Sequence, residues 1–96
     1  MTRFVLSPLA QADVDDIWEY TAEKWSVEQA RRYVSNVQFA VESLADNPRR
    51  GRPCPDVKAG YYRHAVASHV IFYRVTSTGI EVVRILHQRM DFRRHV

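Results

Sequence analysis

Apolar residues recur with a helical period through the first half of the chain. A short apolar strand at residues 3–6 runs into Ser7-Pro8, which predicts a helix start with serine at the N-cap and proline at the first helical position. Beyond it, the apolar face of one helix is formed at positions i, i+3, i+4, i+7 and i+11 by Val14, Ile17, Trp18, Thr21 and Trp25. This spacing predicts an amphipathic helix.

A second helix is predicted directly after the first. Residues 26–29 have the sequence of a capping box, with Ser26 at the N-cap and Gln29 three positions later, and the helix should end at Asn47-Pro48. Its apolar stripe consists of Ala30, Tyr33, Val34, Val37, Val41 and Leu44. Because only one or two residues connect the two helices, we expect an antiparallel hairpin.

The second half of the chain changes to the alternating pattern of β-strands. Three of the four prolines lie at residues 48–60, which predicts an irregular loop, and strands are predicted at residues 61–67, 69–75 and 80–87. The order β-α-α-β-β-β indicates one α+β domain over residues 1–96, in which the hairpin covers one face of a small, mostly antiparallel sheet and a short basic tail or helix follows. The expected large anchors of the core are Trp18, Trp25 and Tyr33.

Charge divides the chain into two halves. Residues 1–47 carry 4 Lys/Arg against 8 Asp/Glu, a net charge of −4, and residues 48–96 carry 10 against 3, a net charge of +7, which together give +3. A basic half suits a phosphate backbone or an acidic protein surface. The single Cys54 excludes an internal disulfide, and no signal peptide or apolar run of membrane-spanning length is recognised, so we expect a cytoplasmic protein.

Strand residues carry the candidate chemistry. No histidine or cysteine has the spacing of zinc ligands, and no glycine-rich phosphate loop is present, so neither a metal nor a cofactor is expected. Metal-free RNA cleavage needs a base, an acid and cations for the phosphate, and adjacent strands hold these types in Arg63, His69, Tyr73, Arg84 and His87. The alternative is that the arginines lie on the solvent side of the sheet and the histidines fill gaps in the packing.

Two basic segments remain without a role. The loop residues Arg49-Arg50-Gly51-Arg52 are either an anion contact or a solvated turn, and they gain interest only beside the basic carboxyl end. At that end, the last strand runs into residues 87–96, which hold a methionine, a phenylalanine and three arginines. This segment is either a frayed terminus or a strand-anchored surface presented to a partner.

Together these segments resemble the ParE toxins of bacterial toxin–antitoxin modules, within the RelE/ParE superfamily. The resemblance covers nearly the whole chain, and its most specific parts are SHVIFYRV at residues 68–75 and VRILHQRMD at residues 83–91. Further blocks lie at residues 6–20, 30–33, 47–53 and 60–63, and the first of these is looser because many amphipathic helices would fit it. One departure is Ser26, where the family usually has glycine.

The resemblance implies an inhibitor of DNA gyrase that binds without cleaving and is held inactive by a ParD antitoxin, as a hetero-oligomer. Gyrase and its DNA offer an acidic, phosphate-rich surface. The residues expected to contact this target are His87, Gln88, Arg89, Met90, Asp91, Phe92, Arg93 and Arg94. Trp18 and Tyr20 on the first helix are expected to form part of the groove that binds the antitoxin.

Three functions stay open from the sequence. The first is the gyrase-inhibiting toxin. The second, which the RelE relatives on the same fold imply, is a ribosome-dependent mRNA endonuclease that uses the five strand residues named above. The third is an interaction module without toxicity.

Overall fold

The computed structural model describes residues 3–96. These residues form one five-stranded sheet and three α-helices. The elements follow in the order β1 (Phe4–Leu6), α1 (Pro8–Lys24), α2 (Val27–Asp46), a short 3-10 turn (Pro48–Arg50), β2 (Arg52–Pro53), β3 (Tyr61–Val66), β4 (His69–Val75), β5 (Ile80–His87) and α3 (Phe92–His95). Within the described residues, none of the helices has the length and apolar character needed to cross a membrane.

Both long helices start with the caps that the sequence predicts. The Ser7 side chain accepts a hydrogen bond from the backbone N–H of Ala10 at 3.0 Å, and the Ser26 side chain accepts one from Gln29 at 3.0 Å. Each bond satisfies a backbone donor that a helix leaves unpaired in its first turn. Two residues join the helices, which pack against each other, so the predicted hairpin is confirmed.

The sheet has the strand order β1-β5-β4-β3-β2. β1 runs parallel to β5 and all other neighbours are antiparallel, which confirms the mostly antiparallel sheet. The prediction of an irregular loop is wrong at residues 52–53, which pair as β2 with Arg63 and Tyr62 of β3. A strand of two residues has no alternating pattern of its own, so only its ladder partner reveals it.

The main core lies between the helical hairpin and the sheet. Its buried members are Ala10, Ile17, Val37, Val41, Leu44, Ile71, Tyr73, Ile80, Val82 and Ile85. Tyr33 packs against this cluster as expected, whereas Trp18 is only half-buried and Trp25 is 70% exposed. The prediction of Trp25 as a core anchor is wrong because α1 ends at Lys24, which leaves Trp25 in the turn beyond the apolar face of the helix.

A second apolar cluster covers the opposite face of the sheet. Its buried members alternate along the strands with those of the main core, and it consists of Cys54, Val70, Phe72 and Leu86. Residues from the loop before β3 and from the carboxyl end pack against it, among them Val57, Phe92 and Val96. The sheet is therefore covered on both faces, although the sequence predicted a cover for only one.

A β-bulge in β5 determines which of its side chains point to each face of the sheet. Phe72 of β4 pairs with Arg84, whereas the next residue, Tyr73, pairs with Val82, so Val83 is an extra residue in β5. Because the extra residue reverses the alternation, Ile85 lies in the main core together with Val82, three positions before it. Without the bulge, the charged side chain of Arg84 would point into that core.

Candidate functional site

The carboxyl-terminal segment, residues 87–96, is ordered by backbone and side-chain contacts. After β5, the N–H of Gln88 donates to the carbonyl of Ser68 at 2.9 Å, and the N–H of Met90 donates to the carbonyl of His87 at 2.9 Å. The Asp91 carboxylate then accepts from the N–H of Arg93 at 3.3 Å and caps the single turn of α3. The predicted tail is thus a tight turn followed by a short helix.

Three contacts hold α3 against the second face of the sheet. The Phe92 ring meets Phe72 in a T-shaped contact with 4.8 Å between ring centroids, and Val96 packs on the same cluster. The guanidinium of Arg84 donates to the carbonyl of His95 at 2.9 Å. Because these contacts fix the segment, the exposed side chains at its surface are presented in a defined arrangement, and they are Gln88, Arg89, Met90, Asp91, Arg93, Arg94 and His95.

Arg84 itself belongs to a buried ion pair at the edge of β5. Its guanidinium donates two hydrogen bonds to the Asp13 carboxylate, each at 2.8 Å, and the two side chains are only 15% and 12% exposed. The hydrogen bonds to Asp13 raise the pKa of Arg84. The charge of Arg84 is therefore matched by α1, while the same side chain reaches α3.

The pair compensates for the shortness of β1, which accompanies β5 only as far as Val82. Beyond that point Ser7 takes over, since its N–H donates to the Val82 carbonyl at 2.9 Å and its hydroxyl donates to the Val83 carbonyl at 2.7 Å. The Asp13 carboxylate then accepts from the N–H of Ile85 at 2.9 Å. The backbone and hydroxyl of Ser7 and the carboxylate of Asp13 thus pair three backbone groups of β5 that lie beyond the end of β1.

Tyr73 is fully buried, and its hydroxyl fixes the turn after α2. The hydroxyl donates to the Pro48 carbonyl at 2.6 Å and accepts from the N–H of Gly51 at 3.0 Å. Burial raises the pKa of Tyr73. A Cβ on Gly51 would lie 2.0 Å from the hydroxyl oxygen, so glycine is required there by the close approach of the ring.

His69 and His87 form a cluster with Tyr33 at the other end of the sheet. The two histidines face each other across the β4–β5 ladder with 5.3 Å between ring centroids, and the Tyr33 hydroxyl lies 2.7 Å from Nδ1 of His69. The same hydroxyl accepts from the N–H of Ser68 at 3.1 Å. Burial, and then the neighbouring His87, lower the pKa of His69.

The structure therefore divides the five candidate nuclease residues. It brings His69 and His87 together and adds Tyr33, which the sequence had assigned only to the core. Tyr73 and Arg84 are engaged in the buried contacts described above. Arg63 lies on β3 opposite Phe72, on the face of the second cluster rather than on that of His69.

The helical hairpin carries most of the large apolar side chains that are exposed among residues 3–96. Tyr20, one of the two residues predicted to bind an antitoxin, is 61% exposed, and the other, Trp18, is half-buried. Further large apolar side chains are exposed at Leu9, Trp25, Val27 and Phe39. A groove of about 290 Å³ opens between the two helices and β1 and is lined mainly by Phe4, Leu6, Val14, Val34, Val37, Val41 and Ile85.

The sequence is similar to bacterial toxins over nearly its whole length. Residues 4–92 match the family described as the ParE toxin of type II toxin–antitoxin system, parDE. Toxin ParE1 of Mycobacterium tuberculosis is 47% identical over 96 residues, which cover 99% of this chain and 98% of that protein. Toxin ParE1 of Caulobacter vibrioides is 45% identical over 96 residues, which cover 100% of this chain and 99% of that protein.

Solved structures share the fold. A chain of the chromosomal ParDE TA system from P. aeruginosa matches with a TM-score of 0.78 at 21% identity, over 91% of this chain and 96% of that chain. A chain of the toxin–antitoxin complex RelBE2 from Mycobacterium tuberculosis matches with a TM-score of 0.67 at 20% identity, over 91% and 98%. At these identities the likeness concerns the fold alone.

Proposed function

Because the chain belongs to the ParE toxin family and is a toxin of a type II toxin–antitoxin system, we propose that it inhibits DNA gyrase through residues 87–94 and that a ParD-like antitoxin neutralises it. The observation that carries the proposal is the fixed carboxyl-terminal segment, which presents basic side chains on an otherwise well-packed sheet. Gyrase with bound DNA offers phosphates and acidic surface to such a segment.

The residues of the segment divide into contact residues and positioning residues. Arg89, Met90 and Arg94 are exposed and available to a target. Phe92 is half-buried on the sheet and Asp91 caps α3, so these two hold the contact residues in place. His87 likewise fixes the turn, because its Nδ1 accepts from the N–H of Arg89 at 3.2 Å.

The antitoxin has a natural binding surface on the helical hairpin. Exposed apolar residues and the groove beside β1 lie there, and exposed apolar surface of this kind marks protein interaction sites. The structures with the same fold come from toxin–antitoxin complexes, which supports a bound antitoxin for this chain as well. We place Tyr20 and the half-buried Trp18 at this interface.

A gyrase supercoiling assay with the purified chain tests the target. We expect inhibition and accumulation of cleaved DNA by the wild-type protein, and at least about tenfold weaker inhibition by Arg89→Gln/Arg94→Gln, since two exposed phosphate contacts are removed. The control is Arg31→Gln/Arg32→Gln, which removes the same charge from the exposed face of α2. Folded wild-type protein that leaves supercoiling unchanged would contradict the proposal.

The histidine cluster favours one alternative, a ribosome-dependent endonuclease. Tyr33, His69 and His87 supply hydroxyl and imidazole groups within hydrogen-bond or ring contact of each other, and these are groups that can act as general acid or base. In this case His87→Ala would abolish mRNA cleavage on translating ribosomes, whereas His95→Ala, at an exposed position, would not. Growth arrest that persists in His87→Ala, without mRNA cuts in the wild type, would exclude the alternative.

The third possibility, an interaction module without toxicity, is separated by expression alone. We expect production of the chain without its antitoxin to stop growth and to induce the DNA-damage response. Normal growth with folded, soluble protein in the cells would favour the module instead.

A further inference from the structure

A second concave surface lies at the far edge of the sheet and is lined by arginines. It has a volume of about 500 Å³ and is formed by Arg50, Arg52, Arg63, His64, Ala65 and Val70. We refer to this surface as the arginine groove. Arg50 ends the short 3-10 turn after α2, Arg52 lies on β2 and Arg63 lies on β3, so the fold gathers charges that are separated by more than ten positions in the sequence.

The groove places two like charges directly opposite each other. Arg52 of β2 and Arg63 of β3 are partners in the ladder, an arrangement that destabilises a sheet. The β4–β5 ladder shows the usual solution, because Arg74 is opposite Glu81 and forms an ion pair with it at 2.6 Å. Among the described residues, no ion pair involves an arginine of the groove. This uncompensated charge indicates a surface that receives an anion from outside the chain.

The arginine groove adjoins the face that carries the carboxyl-terminal segment. Val70 lines the groove and also belongs to the second cluster, on which Phe92 packs. The loop between β2 and β3 connects the two as well, since Asp56 in that loop lies 4.0 Å from the guanidinium of Arg93. Arg50 and Arg52 therefore lie on the same side of the molecule as the carboxyl-terminal segment. The sequence analysis named this proximity as the reason to consider residues 49–52 as an anion contact.

We infer that the arginine groove binds the phosphodiester backbone of duplex DNA. Guanidinium groups match phosphate oxygens with paired hydrogen bonds. The apolar residues that line the groove are only Ala65 and Val70, which offer little surface to the apolar anchor of a peptide. The choice of DNA as the polyanion rests on the proposed action at gyrase.

Fluorescence anisotropy of a labelled 20-base-pair duplex, titrated with the full chain between 0.05 and 0.2 M salt, tests this inference (roughly the range over which phosphate contacts are resolved). Each phosphate contact contributes about 0.9 to the slope of log K against log salt. We expect Arg52→Gln/Arg63→Gln to lower the slope by about 2 and the affinity at 0.1 M salt by at least about tenfold. Arg31→Gln/Arg32→Gln, with the same change in net charge, should keep the wild-type slope.

Equal loss of affinity in both double variants would overturn the inference, because binding would then follow net charge alone. A thermal melt serves as the control for unfolding of the variant. Because the like-charge pair is removed, the Tm of Arg52→Gln/Arg63→Gln should equal or exceed that of the wild type. Arg50→Gln, outside the ladder, is a second variant and should lower the slope by about 1. Poly-L-glutamate that displaces the duplex at equal charge concentration would also overturn the inference.

Binding to DNA and inhibition of gyrase can fail separately. Groove-dependent DNA binding without gyrase inhibition would leave the arginine groove standing and remove the proposed function. Gyrase inhibition by the wild type together with unchanged DNA binding by all groove variants would support the proposed function and overturn DNA binding by the arginine groove.

Discussion

The hydroxyl of Tyr73 connects the centre of the sheet to the turn that follows α2. From the sequence, a tyrosine next to histidines and arginines on strands is a candidate acid or base. The structure shows why the residue type was not informative: its hydroxyl is satisfied by Pro48 and Gly51, which lie 25 and 22 positions away in the chain. The position of the loop in the folded protein decides whether such a hydroxyl acts as a catalytic acid or base or instead stabilises the fold through hydrogen bonds.

Tyr73→Phe should destabilise the protein by about 2 kcal/mol. The change leaves the ring in the core but removes one hydrogen bond that it donates and one that it accepts, both in a buried place. Urea unfolding measures the loss. Tyr61→Phe is the control, since the Tyr61 hydroxyl makes no hydrogen bond within residues 3–96, and an equal loss in the two variants would contradict the assigned role of Tyr73.

His69 should make the stability depend on pH below about 6.5. Burial and the neighbouring His87 lower its pKa in the folded state below the ordinary 6.5, although Asp13 acts in the opposite direction. The unfolded chain therefore binds the proton first as pH falls, so stability is complete above pH 6.5 and decreases toward the folded pKa.

Thermal melts between pH 7.5 and 5.5 (roughly one unit to either side of the ordinary value) measure this dependence. We expect the decrease in Tm to be smaller in His69→Gln than in the wild type, because the titrating group is gone. His95→Gln, at the exposed carboxyl end, should retain the wild-type pH dependence. A wild-type Tm that rises as pH falls over this range would contradict the assigned direction.

At the scale of elements, α1 is attached to β5 through one carboxylate. Asp13→Ala should cost about 3 kcal/mol, because it leaves Arg84 mostly buried without its counter-charge and the N–H of Ile85 without its acceptor. Denaturant unfolding measures the cost, and Asp16→Ala on the exposed face of the same helix should change stability by less than about 0.5 kcal/mol. Similar effects at the two sites would refute the role of the ion pair.

The attachment of α3 depends mainly on one ring. Phe92→Ala should cost about 1–2 kcal/mol through lost burial and should also weaken gyrase inhibition, because Arg89 and Arg94 are no longer held in place. Phe39→Ala is a matched control, since the Phe39 side chain is 76% exposed on α2. Unchanged hydrogen exchange in α3 of Phe92→Ala would show that other contacts suffice.

Elements with a local signal were predictable from the sequence, and elements defined by distant partners were not. The caps at Ser7 and Ser26 and the stripe of α2 depend on neighbours within a few residues, and the structure confirms them. β2 and the bulge at Val83 exist only through pairing with other strands. The second cluster was missed for the same reason, since the pattern of the strands does not show that the carboxyl end folds back over them.

The candidate site was predicted as residue types but not as an arrangement. Strand parity correctly placed His69 and Tyr73 on one face of β4. It could not show that a bulge rotates Arg84 away from that face, or that Tyr33 completes the histidine cluster from α2. The role of the carboxyl-terminal residues in contacting a target stays a prediction until the supercoiling assay is done.

At the scale of the whole molecule, the acidic helices and the basic carboxyl-terminal segment lie on opposite faces of the sheet. The acidic first half forms the hairpin and β1, and the basic second half forms the rest of the sheet and its second cover. An antitoxin on the hairpin would thus approach from the side opposite to the arginine groove and α3. Inhibition by the antitoxin would then require it to reach around the sheet or to block gyrase by its bulk.

Tryptophan fluorescence reports where the antitoxin binds. If the antitoxin covers the hairpin, the 70% exposed Trp25 leaves water on binding and its emission should shift to shorter wavelength. In Trp25→Phe the remaining Trp18 is already half-buried, so the shift should be clearly smaller. Complex formation with no shift in the wild-type protein would place the antitoxin elsewhere.

Phe92 and Val96 shield Phe72 and Val70 from solvent, and this affects which inactivating mutations leave a detectable protein. A chain that stops before residue 92 would expose the second apolar cluster to solvent, and quality-control proteases would degrade it. Frameshifts near the end of the gene should therefore leave no protein to detect. Disarmed copies that persist in cells should instead be full-length, with their changes at outward-pointing arginines.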